Sequence, residues 1–118
     1  MSPTFATRFA AEWIDAWNAR DLTRVLALYA DDFEMSSPFI VSVAGEPSGR
    51  LRGKPAVEAY WRRALEGIAH LHFELRAVLG GVDSVALVYQ GHEGRLVAEV
   101  LHFAADGKVA RAFAHYAP

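Results

Sequence analysis

Cysteine is absent, which excludes a disulfide framework, a thiolate nucleophile and any cysteine-based metal site, and suits a reducing cytoplasm. Long apolar runs are missing too. No stretch approaches the roughly 20 apolar residues that cross a bilayer. The opening Met1-Ser2-Pro3-Thr4-Phe5 lacks a basic segment followed by an apolar one. No membrane is therefore expected as a partner, and a cytoplasmic location is the default. Neither sign of charge dominates, since 12 Lys and Arg against 14 Asp and Glu leave a formal net charge of −2. Without a basic stripe to follow a phosphate backbone, no nucleic acid is expected either. The densest basic stretch, Arg50 to Lys54, contains a glycine and reads as a solvated loop.

What the chain does have is apolar surface. Of its 118 residues 53% are apolar and 12% aromatic, a composition opposed to disorder. At this length one domain forms and buries about two-thirds of the surface of the unfolded chain. Part of so much apolar surface is expected to line a pocket or to meet a second subunit.

From Thr4 to Ala19, Phe5, Phe9, Trp13 and Trp17 recur at helical spacing, with Ser2 as a cap and Pro3 in the first turn. A second helix is predicted from the cap Asp21 to about Ala30. The alternating run Asp31 to Pro38, stopped by proline, reads as an edge strand with Phe33, Met35 and Ser37 on one face. Residues 39–53 carry Gly45, Pro47, Gly49 and Gly53 and read as a loop or lid. Helical period returns from Pro55 to Ile68 through Val57, Tyr60, Trp61, Ala64 and Leu65. From His72 to Tyr116 the period becomes two, and turn signals at Gly80-Gly81, Gly91 to Gly94 and Asp106-Gly107 divide the segment into a meander of antiparallel strands. Helices gathered on one face of a curled sheet suit this order.

Parity sorts the last two strands. Arg95, Val97, Glu99, Leu101 and Phe103 share one face, opposite Leu96, Ala98, Val100 and His102. In the final strand Ala110, Ala112, Ala114 and Tyr116 oppose Val109, Arg111, Phe113 and His115. Three alanines on one face either leave space for a ligand or let a helix pack close.

Trp13, the segment Tyr29 to Phe39 with its Tyr-Ala-Asp-Asp start, the glycine-initiated helix from Gly53 to Trp61, and the closing Phe103 to Val109 with Asp106-Gly107-Lys108-Val109 together resemble the nuclear transport factor 2-like superfamily. The SnoaL-like proteins and bacterial ketosteroid isomerase look nearest, over roughly Phe5 to Tyr116. The resemblance implies a single domain spanning residues 1–118. Its fold would be a cone-shaped α+β barrel with three N-terminal helices packed on the concave face of a strongly curved, mixed, mainly antiparallel sheet. It is a poor guide to chemistry, because this frame hosts isomerases, cyclases, hydratases, dehydratases and binding proteins.

Residue by residue, the likeness to ketosteroid isomerase fails at two decisive places. The position of its general-base aspartate, before the proline that ends the first strand, holds Ser37, a hydroxyl far too weak for unaided proton abstraction. Its oxyanion-hole tyrosine corresponds to Trp13. Its second oxyanion donor, a protonated aspartate, corresponds to Glu99, and Trp61 takes the place of a tyrosine near the pocket. The implied cavity is more aromatic and less acidic, lined by Trp13, Met35, Ser37, Trp61, Glu99, Leu101, Ala112, Ala114 and Tyr116.

Glu99 is the candidate catalytic residue. A carboxyl interrupting Val97-Ala98-Glu99-Val100-Leu101 has its pKa raised by desolvation, unless a nearby Arg or His pairs with it. None of the five histidines stands at metal-ligand spacing with a carboxylate, so neither a metal nor any other cofactor is expected. Ser36 and Ser37 lack a nucleophile-elbow context. Two functions follow. One is a small isomerase, hydratase or cyclase-like enzyme that uses Glu99 as acid, base or hydrogen-bond donor. The other is a non-catalytic ligand-binding or dimeric stabilising module. The expected ligand is a small apolar or aromatic organic molecule. The outer face, with Val100, His102, Arg111, Phe113 and His115, is expected to form a homodimer.

Overall fold

The computed structural model describes residues 1–118. Helix α1 (Pro3–Asn18) begins where the Ser2 hydroxyl accepts from the Phe5 amide at 3.3 Å, and Pro3 occupies the first turn. Its buried stripe, Ala6, Phe9, Ala10, Trp13, Ala16 and Trp17, follows the helical period. Asp21 caps α2 (Leu22–Leu26) by accepting from the Arg24 amide. This helix stops before Tyr29, which instead opens strand β1 (Tyr29–Ser36). A π-helical turn, Ile40–Ala44, leads to β2 (Arg50–Arg52) and then to α3 (Lys54–Glu66). The meander follows as β3 (Glu74–Gly80), β4 (Ser84–Gln90), β5 (Leu96–Phe103) and β6 (Val109–Tyr116).

The strands form one sheet in the order β2-β1-β6-β5-β4-β3. Only the β1–β6 pair is parallel. The expected α+β architecture is present, with the sheet open rather than closed into a barrel. Register shifts in the β1–β6, β3–β4 and β5–β6 ladders bend it. Helix α1 packs on β3, and α3 packs on β1 and β2. No helix is long and apolar enough to cross a membrane.

Three sequence expectations need correction. Strand β1 is not at the edge: β2 covers it through the pairs Glu34 with Arg52, Met35 with Leu51 and Ser36 with Arg50. The stretch 39–53 is therefore more than a loop, and Arg50 and Arg52 belong to an edge strand. Val109, grouped by parity with the outer face, is fully buried. A bulge explains it. Phe103 pairs with Val109 and its neighbour His102 with Arg111, so β6 inserts one extra residue and the faces exchange.

Candidate active site

Beyond the bulge the parity holds. Val97 pairs with Tyr116, Glu99 with Ala114 and Leu101 with Ala112 on the inner face, while Val100 pairs with Phe113 and Ala98 with His115 on the outer one. Between this inner face and the helices lies a cavity of about 330 Å³. That is the lower end of the range for small-molecule sites, and its walls are mostly apolar.

Trp13, Met35, Trp61, Glu99 and Tyr116, five of the expected wall residues, line the cavity. Ser37, Leu101, Ala112 and Ala114 do not, although all are buried. For Leu101 and Ala112 the difference is depth along the strand. The end of β5 at Phe103 is plugged by α1, where the rings of Phe5 and Phe9 meet Phe103 edge-on at 5.2 and 4.9 Å. Leu101 and its partner Ala112 lie toward that filled end, whereas Ala114 pairs with Glu99 at the level of the cavity itself. Ser37 stands behind the wall, its hydroxyl accepting from the Phe39 amide at 3.2 Å and from the Tyr60 hydroxyl at 3.5 Å. It supports a cavity tyrosine.

Trp13 does not offer its indole N–H to the cavity, because that group donates to the Tyr29 hydroxyl at 2.9 Å. What faces a ligand is its ring, held against Trp17, Phe73 and Tyr89 with centroids 6.0, 5.9 and 5.3 Å apart. Trp17 in turn meets Trp61 edge-to-face at 4.9 Å. These contacts fix the walls in one arrangement.

Glu99 is 5% exposed. No Lys, Arg or His lies within ion-pair distance of it. The Tyr89 hydroxyl donates to its Oε2 at 3.0 Å, and Oε1 has no hydrogen bond within the protein. Burial pushes its pKa up to about 7 against the opposing pull of the Tyr89 hydrogen bond. Near neutral pH it therefore holds comparable amounts of acid and carboxylate. Its charge also reaches all four tyrosines of the chain. Tyr29, Tyr60, Tyr89 and Tyr116 are all shifted upward, first by burial and further by Glu99. The phenols stay protonated, and three of them, Tyr60, Tyr89 and Tyr116, line the cavity with this one titrating carboxyl, the first two hydroxyls donating to Ser37 and Glu99.

The expected wall omits Trp17, Phe39, Tyr60, Phe73 and Tyr89 and, at the mouth between β4 and β5, Gly91, His92, Glu93 and Arg95, all of which line the cavity. A signal for Tyr89 exists. The β4–β5 hairpin pairs Leu87 with Glu99 and Tyr89 with Val97, which makes Tyr89 the diagonal neighbour of Glu99 on one face.

A protein-family model, described as a SnoaL-like domain, matches residues 10–112. No curated protein matches the chain. Among solved structures, a SnoaL-like protein of unknown function from Burkholderia thailandensis E264 is 62% identical, with 99% of this chain and 98% of that one covered and a TM-score of 0.95. IdmH, a candidate polyketide cyclase from Streptomyces antibioticus, is 18% identical over 94% of this chain and 91% of its own, with a TM-score of 0.75. A candidate ketosteroid isomerase from Kribbella flavida DSM 17836 is 19% identical over 98% and 79%, with a TM-score of 0.70. The last two likenesses concern the fold alone.

Proposed function

The chain belongs to the SnoaL-like domain family, and from that premise and the cavity we propose that it binds a small apolar or aromatic ring compound bearing an oxygen function, on which Glu99 transfers a proton. The supporting observation is Glu99 itself: a buried carboxyl in the cavity wall with no cation, one oxygen held by Tyr89 and the other free. A carboxyl with a pKa near 7 can both take and return a proton at neutral pH, and such catalysis contributes about 10²–10⁴-fold. The Tyr89 hydroxyl is engaged by Glu99, and Tyr116 on the same wall supplies the hydroxyl for an oxyanion developing on the ligand. The chemistry this suits is of the isomerase, hydratase or cyclase kind.

One feature favours the non-catalytic alternative. At Ser37 there is no second carboxylate, so Glu99 works alone. Exchange of α-protons separates the two readings without knowledge of the natural substrate. With 2-tetralone in D2O, the wild type is expected to incorporate deuterium above the buffer rate, and Glu99→Gln to lower that enzymatic excess by about 10²-fold or more. Affinity for 2-tetralone should stay within about tenfold. Binding without exchange would leave a ligand-binding or stabilising module.

The same proposal includes a homodimer through the outer face of the sheet. There Val100 and Phe113 are only half-buried. His102 meets the Phe113 ring edge-on at 5.7 Å, and the Arg111 guanidinium lies over it at 5.9 Å. Light scattering is expected to report a dimer at tens of micromolar and a folded monomer for Phe113→Asp. A monomeric wild type contradicts this.

A further inference from the structure

The cavity has an arginine at its mouth that the protein itself does not use. Arg95 follows the turn His92–Gly94 and leads into β5 on the face shared by Val97 and Glu99. It is exposed, yet it lines the cavity. Its guanidinium stands over the Phe39 ring, 5.7 Å from the centroid, and Phe39 packs edge-on against Tyr116 at 4.6 Å. Arg20, Arg24, Arg52, Arg62, Arg63 and Arg76 each donate to a carbonyl or carboxyl oxygen of the protein. Arg95, like Arg8, Arg50 and Arg111, makes no such bond and no ion pair, but it is the only arginine on the cavity wall.

We propose that the ligand carries a carboxylate, held by Arg95 at the mouth, while its ring lies in the apolar interior and its oxygen function meets Glu99 and Tyr89. This rests on the ring-binding reading above and adds the substrate class, a small cyclic carboxylic acid. A guanidinium offers five donors in a planar fork matched to a carboxylate, and the cation–π contact with Phe39 leaves those of Arg95 without a protein acceptor. Four residues along an extended strand separate the Cα atoms of Arg95 and Glu99 by about 13 Å, enough for a ring between the two groups. The separation also keeps like charges apart, because a ligand carboxylate beside Glu99 would be buried without a cation. Glu93 is the competing charge at the mouth. Its Oε1 lies 3.3 Å from His92 Nε2 and its side chain is 81% exposed, so solvent screens it.

The test uses two probes with the same ring, 2-naphthol and 6-hydroxy-2-naphthoate, with dissociation constants measured by calorimetry at low and high salt. In the wild type the naphthoate is expected to bind about fivefold more tightly at low salt, as suits an exposed ion pair, and the preference should shrink as salt rises. In Arg95→Gln the ratio of the two affinities should fall to about one, and Arg95→Lys should restore part of it. Equal ratios in the wild type and Arg95→Gln overturn the inference. If 2-naphthol binds but the naphthoate has no Arg95-dependent advantage, the carboxylate inference alone fails. If neither probe binds, the ring-binding reading fails with it.

Discussion

Between pH 4.5 and 8 the wild-type domain is expected to lose roughly 3 kcal/mol of stability relative to Glu99→Gln, because Glu99 titrates near 4.5 when unfolded and near 7 when folded. Below the unfolded value both states hold the proton and the group costs nothing. As pH rises, the unfolded chain releases its proton while the folded one retains it, which favours unfolding. Above the folded value the loss reaches its full size and stops growing. Glutamine keeps the shape and can still accept from Tyr89, but it has no proton to lose. For a domain of this size the difference corresponds to a relative shift in Tm on the order of 10 °C. Thermal melts of the two proteins across that pH range measure it, and the difference between them cancels groups common to both. Parallel curves would mean that Glu99 is ionised in the fold and neutralised by a partner.

Trp13→Ala is expected to cost about 4–5 kcal/mol, close to the whole stability of many domains. The ring is 1% exposed and touches Trp17, Phe73 and Tyr89. Truncation leaves a void beside the cavity and also strips the Tyr29 hydroxyl of its donor at 2.9 Å. Trp13→Phe keeps most of the ring contact and loses the hydrogen bond, so it should cost about 1–2 kcal/mol. Urea denaturation of the three proteins tests this. A loss below about 1.5 kcal/mol for alanine would show that Trp13 is a yielding wall rather than part of the core.

These two residues also show what the sequence discloses. Trp13 is placed by helical spacing and Glu99 by strand parity. Both periods follow from backbone geometry, and both residues stand where those periods put them, on the buried faces of α1 and β5. Position along the strand is a different quantity. Ala114, opposite Glu99, and Leu101 and Ala112 share the inner face yet lie outside the cavity, the last two toward the end of β5 where the Phe5 and Phe9 rings meet Phe103. That depends on how α1 seats on the sheet, which alternation does not encode. The bulge that buries Val109 adds one residue to β6 with no mark in the sequence, and it reverses parity on one side only. Tyr89 escapes for another reason. Its proximity to Glu99 comes from register across the β4–β5 hairpin, which the loop between Gly91 and Gly94 sets. Trp13 keeps its place but not its expected role, since its indole N–H is spent on Tyr29.

The most direct test is the titration of the Glu99 carboxyl followed by carbon-13 NMR, with and without saturating 2-naphthol. A buried acid in a ligand cavity predicts a midpoint near 7 in the free protein, displaced when the probe hydroxyl meets Oε1. A midpoint at or below the ordinary value of 4.5, or one that ignores a bound probe, would contradict the assignment of Glu99 as the acid and base of this cavity.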